Sequence, residues 1–294
     1  MKYKHRETFI TKASGERHAF SEEKLRNSLL RSGASPKVVD TIITAVLANL
    51  YDGITTAQIY DIAFRMLRQR RKGPAAKYKL KNALMELGPT GFPFEQFMAR
   101  VFGRLGFETQ TGQLLEGKCV RHEVDVVARK GKEQYLVECK FHQQKGVCCD
   151  VKIPLYIRAR FDDIEERLSR TEEGKSRSFT GWVATNTHFT RDAITYGLCA
   201  GLHLLGWDFP AKGSLRELVD EYGIHPLTCL TTLTRQEKQQ LLEKNIVLCS
   251  ELKDHEPLLK SMVHGDRLEK LRAECAHLLS PPTLVLTRPK KEAV

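Results

Sequence analysis

Apolar residues recur along this chain with two periods. Over residues 21 to 87 the spacing is helical. Leu25 and Leu29 follow Ser21, which can cap their helix, and Gly33 ends it. Ser35-Pro36 opens a second helix, because a serine oxygen accepts from free first-turn amides and proline has no donor to lose there. Its apolar face is Val39, Ile42, Ile43, Val46, Leu47 and Leu50. Thr56 can cap a third helix carrying Ile59, Ile62, Ala63, Met66 and Leu67, with Gly73-Pro74 as its break. A fourth spans 75–87 and stops at Gly88-Pro89. Ahead of them, Thr8-Phe9-Ile10, a turn at Gly15 and Ala19-Phe20 predict a short hairpin.

Beyond residue 90, Phe94, Phe97, Met98, Val101, Phe102 and Leu105 make one amphipathic helix. The period then shortens to two. Strands are expected over 107–115, 119–128 and 134–141, the last two joined through Lys130-Gly131-Lys132 as a hairpin. Pro154 starts a helix with Ile157, Phe161, Ile164 and Leu168; a strand over 179–185, a helix capped by Thr190 and a strand over 203–207 follow. This order predicts a mixed sheet covered by helices. Helical stretches return near 215–222, 234–242 and 268–279, and a loose basic tail is expected from Ser280-Pro281-Pro282 onward. The chain therefore reads as a multidomain α+β protein with an α/β centre. Its segments are 1–90 (hairpin plus four helices), 91–207 (mixed sheet with flanking helices), 208–280 (helical) and 281–294 (tail).

Composition narrows the class. With 294 residues, 41% hydrophobic and 28% charged, the chain is neither disordered, collagenous nor a coiled coil. The longest nearly apolar run, 196–207, contains His203 and is too short to span a bilayer, and Met1-Lys2-Tyr3-Lys4-His5-Arg6 leads into no apolar stretch. A soluble, untargeted protein with no membrane partner is expected. Eight scattered cysteines, without a Cys-x-x-Cys, read as reduced thiols in a cytoplasm. Net charge is +11, concentrated in residues 1–90, which hold 17 Lys/Arg against 8 Asp/Glu. Such an excess attracts polyanions, nucleic acid or nucleoside polyphosphates.

The chemistry gathers in the central hairpin. Asp125 sits inside Val124-Asp125-Val126-Val127, and thirteen residues later Glu138 sits inside Leu136-Val137-Glu138-Cys139-Lys140. Side chains alternate along a strand, so Glu138 and Lys140 share a face while Val137 and Cys139 point away. A turn centred on Gly131 brings Asp125 opposite Val137 or Glu138, and a small bulge would join the carboxylates. Two half-buried carboxylates repel unless a cation compensates, and Lys140 supplies one while leaving room for a second.

These residues resemble the PD-(D/E)XK nuclease superfamily, and with Pro93-Phe94-Glu95, Gly106 and His122-Glu123-Val124-Asp125 they look like its Mrr-like, or type IV, restriction endonucleases. The resemblance implies a restriction-endonuclease-like fold over 91–207 and hydrolysis of DNA phosphodiester bonds. It implies that Asp125, Glu138 and the carbonyl of Cys139 hold Mg²⁺ or Mn²⁺, that Lys140 orients or deprotonates water, and that Glu95 supports the metal. Gln143, Lys145 and Lys152 are candidate phosphate contacts, with plain solvation as the default for each singly, and His122 and His142 flank the motif, with a structural role as the default.

A second resemblance covers the first segment. Residues 10–15 (Ile-Thr-Lys-Ala-Ser-Gly), 20–25 (Phe-Ser-Glu-Glu-Lys-Leu), Ile54-Thr55-Thr56 and Ala75-Ala76-Lys77-Tyr78 look like the ATP-cone, a regulatory ATP/dATP-binding domain. It implies that Lys12 and Lys24 reach phosphates and that Thr56 offers a hydroxyl at a helix N-terminus. The basic run Arg65, Arg68, Arg70, Arg71 and Lys72 suits DNA phosphates or solvent. No Gly-x-x-x-x-Gly-Lys-Ser/Thr occurs, so ATP or dATP is expected as effector, not fuel, acting on a homo-oligomer. The alternatives are a non-catalytic, nucleotide-responsive DNA-binding regulator and a repair or junction nuclease. In the helical segment, the turn around Leu230-Thr231-Thr232 could offer amides to a phosphate, though core packing is the simpler reading.

Overall fold

The computed structural model describes residues 8–280. A hairpin of β1 (Phe9–Thr11) and β2 (Arg17–Ala19) is followed by α1 (Glu22–Arg31), α2 (Pro36–Ala48), α3 (Thr56–Arg70), α4 (Lys72–Tyr78) and α5 (Leu80–Met85). Ser21 caps α1 as expected, its hydroxyl accepting from the Lys24 amide. Four details depart from the pattern reading. Ser35 stands at the N-cap of α2, but its hydroxyl makes no capping bond. Thr55, not Thr56, caps α3, because its extended backbone pairs with Thr11 and Gln58 completes a reciprocal cap three residues on. The break after α3 falls at the extended Arg71, so Gly73-Pro74 lies in the first turn of α4, where proline has no amide to sacrifice. The fourth helix is two pieces, making five helices in this segment among the described residues.

The central region runs α6 (Phe92–Arg104), β3 (Glu108–Glu116), β4 (Arg121–Lys130), β5 (Glu133–Lys140), β6 (Cys148–Cys149), α7 (Lys152–Leu168), α8 (Glu172–Lys175), β7 (Ser178–Thr185), β8 (His188–Phe189), α9 (Arg191–Cys199) and β9 (His203–Leu205). Five strands form a mixed sheet in the order β3-β4-β5-β7-β9, antiparallel on the β3 side and parallel from β5 to β9. The two-residue strands β6 and β8 pair in parallel beside it; they are too short to leave a period in the sequence.

Alternation along the strands builds two layers. Phe94, Phe97, Met98, Val101 and Phe102 of α6 pack with Val126, Ala128, Val137, Cys139 and Ala184. On the other face, Ile157, Phe161 and Ile164 of α7 pack with Val127, Leu136 and Val183. The remaining elements are α10 (Leu215–Tyr222), a 3₁₀ turn at Leu227–Cys229, α11 (Arg235–Glu243), a 3₁₀ segment at Cys249–His255, α12 (Glu256–Met262) and α13 (Asp266–Leu279). Their apolar residues continue the α6 core, which also takes in Leu80, Ala83, Leu84 and Leu87 of the first segment. The N-terminal helices keep a second core around Leu29, Ile42, Ile54 and Leu67. The expected tail from residue 281 lies outside the described residues. Among the described residues no helix is long and apolar enough to cross a membrane.

Candidate carboxylate and lysine site

The β4–β5 turn sets the geometry. The β4–β5 ladder runs out to the Val126–Val137 pair, and Asp125 and Glu138 are the next residues beyond it on their strands. On its other side Asp125 faces Gly112, whose φ of +60° interrupts β3 between the Thr111–Val126 and Gln113–Val124 pairs. Val124 packs with the α7 core and Val126 with the α6 core, so strict alternation breaks at Asp125. The aspartate Oδ2 there accepts from the Cys139 amide at 2.6 Å.

Glu138 is 4% exposed, and its two oxygens are held by two cations. Lys140 Nζ donates to Oε1 at 2.6 Å, the same-face pairing expected two residues along a strand. Arg160 of α7 donates to Oε2 at 2.7 Å and also to the Glu123 carbonyl. Burial and the Glu138 charge push the Asp125 carboxyl up to about 6. Burial, then Asp125, Glu123 and Glu138, push the Glu95 carboxyl up to about 7, so the first-helix acid belongs to the same field. The Cys139 thiol is pushed up by burial and these acids and stays protonated. Asp125, Glu138, Lys140 and Glu95 are thus brought together.

The end of β5 is held by residues that the sequence did not single out. Thr185 donates its hydroxyl to the Lys140 carbonyl at 2.8 Å. The fully buried Asn186 accepts from the His142 amide at 2.9 Å and donates to the His142 carbonyl at 2.8 Å. The His142 ring lies 3.4 Å from Cys149 Sγ, and His122 pairs with Asp163 at 2.8 Å, holding that carboxyl far below its ordinary range. Both histidines are structural partners here. Only an alignment of β7 with β5, or of α7 with β4, reveals such contacts, and neither leaves a local signal.

Residues 141–146 run from the site toward the first segment. Phe141 packs on Phe94 at 5.9 Å, Gln143 crowds Gly88, and the Lys145 ammonium lies 5.6 Å over Tyr60, whose ring stacks on Tyr78 at 5.2 Å. Gly146, at φ +86°, meets the hairpin turn so closely that a β-carbon would sit 2.6 Å from the Ala13 carbonyl oxygen. Gln143 and Lys145 touch the first segment yet remain exposed, as does Lys152 at the start of α7.

In the first segment, the Thr11 amide donates to the Ile54 carbonyl at 2.9 Å and Thr11 bridges Thr55. Lys12 and Thr56, each one residue on, are thereby neighbours; Lys12 pairs with Glu16 at 3.6 Å. Lys24 stands on the exposed first turn of α1, and no described contact joins it to them. Part of the basic run faces protein instead of solvent. Lys72 donates to the Thr232 hydroxyl at 3.1 Å and Arg68 reaches the Thr231 carbonyl at 3.5 Å. The Thr231 and Thr232 amides donate to the buried Glu274 at 2.7 and 3.0 Å, so that turn is closed by the chain itself.

The donor set can be tested against a divalent cation. Among the described residues no three His, Cys, Asp or Glu side chains gather as a metal cage. Mg²⁺, however, is commonly held by one or two carboxylates with water filling the rest. Asp125 and Glu138, opposed across two strands, with Asp125 and Glu95 raised by their neighbours, form an anionic pair that a cation relieves. The residues fit such an ion.

Fold and site together define a mixed α+β protein, a five-stranded sheet bearing a carboxylate and lysine cluster at the crossing of β4 and β5. Residues 225–279 match the family model described as AF1548-like, C-terminal. An uncharacterized protein of Archaeoglobus fulgidus is 35% identical over 156 residues, covering 53% of this chain and 83% of that protein. The crystal structure titled as a protein of unknown function, AF1548, superposes with a TM-score of 0.51 at 30% identity, over 64% of this chain and 96% of that one. The chain belongs to the AF1548-like family.

Proposed function

We propose that this protein is a metal-dependent DNA endonuclease of the PD-(D/E)XK type, Mrr-like in its central segment. One observation carries the reading: Asp125, on the Cys139 amide, lies beside the Glu138–Lys140 pair inside apolar strands, with Glu95 in their field. Structural ion pairs rarely place two carboxylates this close in a buried site, where the Glu138 charge raises the cost of ionising Asp125. Asp125, Glu138 and the Cys139 carbonyl would hold Mg²⁺ or Mn²⁺, with Glu95 in support. The ion, when bound, supplies a water of lowered pKa and neutralises charge on the phosphoryl oxygens. Lys140 holds the attacking water toward the phosphorus, and the Cys139 amide keeps Asp125 aimed across the hairpin.

ATP or dATP is the effector in this reading, bound near Lys12 and Thr56 on an ATP-cone, with Lys24 as a further phosphate contact. The 141–146 strap supports a mechanical link, since it joins Lys140 to the Ala13-Ser14 turn one residue from Lys12. A nucleotide gates cleavage, or assembly of a homo-oligomer, only by binding two arrangements differently.

Plasmid nicking with Mg²⁺ or Mn²⁺, beside an Asp125→Ala control and with or without nucleotide, tests this. Nicking lost in the control supports the enzyme. A second reading, a DNA-binding regulator without catalysis, draws on the double pairing of Glu138 by Lys140 and Arg160. DNA retention without cleavage under every metal would establish it.

A further inference from the structure

Arg160 lies on α7, twenty-two residues beyond Glu138 in sequence. Its guanidinium spans two environments. At one end it donates to Glu138 Oε2 at 2.7 Å, on a side chain only 5% exposed; at the other it lies 5.4 Å over the ring of Tyr156, which is 57% exposed. A third contact, to the Glu123 carbonyl, anchors it at the mouth of the site.

Both cations are engaged in the free protein: Lys140 and Arg160 each hold one oxygen of Glu138, so neither is turned to a phosphodiester. Both oxygens of Glu138 are occupied, so a cation arriving there must displace one partner. Lys140 is tethered to the same strand face two residues away. Arg160 has the other anchor and an open aromatic face beside it. A guanidinium fork also matches the paired oxygens of a phosphate, which an ammonium does not.

We propose that Arg160 is a substrate-positioning residue with two stations: it pairs with Glu138 in the free protein and turns to a backbone phosphate of the nucleic-acid strand once Glu138 is released to a divalent ion. Tyr156 flanks the second station and guides the guanidinium to it. The inference rests on the nuclease reading and adds a competition between Arg160 and the ion for one carboxylate oxygen.

The experiment uses the full chain, wild type, Arg160→Ala and Arg160→Lys, with thermal melts confirming folded protein. Mn²⁺ binding without DNA is measured by calorimetry, duplex DNA binding in Ca²⁺ by fluorescence anisotropy at several salt concentrations, and cleavage as kcat and KM. Removing the competitor should tighten Mn²⁺ binding by Arg160→Ala about threefold to tenfold. The same variant should bind DNA about tenfold more weakly, with a salt slope shallower by about one phosphate contact. Arg160→Lys should return Mn²⁺ affinity toward wild type but not DNA affinity. A merely structural Arg160 would weaken Mn²⁺ binding on removal. That result, or unchanged affinity for both ligands, in a series whose wild type cleaves, overturns the proposal and leaves the nuclease reading standing. A wild type that neither binds Mn²⁺ nor cleaves overturns both.

Discussion

Val137 and Glu138 are neighbours on β5, yet they face opposite surroundings. Val137 points into the α6 layer, among Phe94, Phe97 and Phe102, where apolar packing decides what fits. Glu138 points toward α7 and is also buried, but its surroundings are Lys140, Arg160 and the nearby Asp125. A fold gains nothing from opposing two carboxylates in its interior. The α6 face holds the sheet together by packing, whereas the charged end of the α7 face carries buried carboxylates at some expense of stability.

The comparison breaks first on the apolar side. Phe97→Ala should cost about 3–5 kcal/mol in urea unfolding, the ordinary loss for a buried phenylalanine; a loss under about 1 kcal/mol would mean that the α6 layer is not what stabilises the sheet.

On the charged side the sign reverses. The Asp125 carboxyl sits at about 6 against an ordinary 3.8, so between those values the folded protein holds a proton that the unfolded chain has released. Stability is therefore greatest below about pH 4 and falls as pH rises toward 7, by about 3 kcal/mol from this group alone. Without divalent ions, unfolding midpoints should drop across that window, and Asp125→Asn, which keeps an acceptor for the Cys139 amide, should flatten the drop and stabilise the protein at pH 8. A profile that rises through the same window would show that Asp125 is compensated in the fold.

A smaller effect sharpens the comparison by asking whether the charged end communicates beyond the sheet. Gly146→Val places a branched side chain at positive φ against the Ala13-Ser14 peptide. It should cost about 1–2 kcal/mol and abolish any response of cleavage to ATP or dATP while leaving nucleotide-free cleavage in place; a retained response would move the link elsewhere. Smallest is Thr234→Ala, which removes a reciprocal cap with Glu237 far from either face. About 1 kcal/mol of stability should go, with Mn²⁺ binding unchanged.

Much of this arrangement is legible in the residues. Gly131 sets the hairpin register, which brings Asp125 to the level of Val137 or Glu138, and a period of two puts Lys140 on Glu138's face. Helix caps at Ser21 and Thr190 are read correctly because capping is settled within four residues. Thr56 was misplaced by one position for the opposite reason: the bridge from Thr11, more than forty residues earlier, is what holds Thr55 extended and makes it the cap.

What the chain settles by itself is whatever depends on neighbours in sequence: the helical and strand periods, the hairpin turn, the two carboxylates and the lysine on adjoining strands. Only the tertiary structure decided that Arg160 closes on Glu138, that Asn186 clamps His142, that Arg68 and Lys72 dock on the Thr231-Thr232 turn, and that Gly146 rests on the N-terminal hairpin. Those contacts join elements whose separation is bridged by packing, and packing energy is a property of the assembled layers that no local pattern encodes.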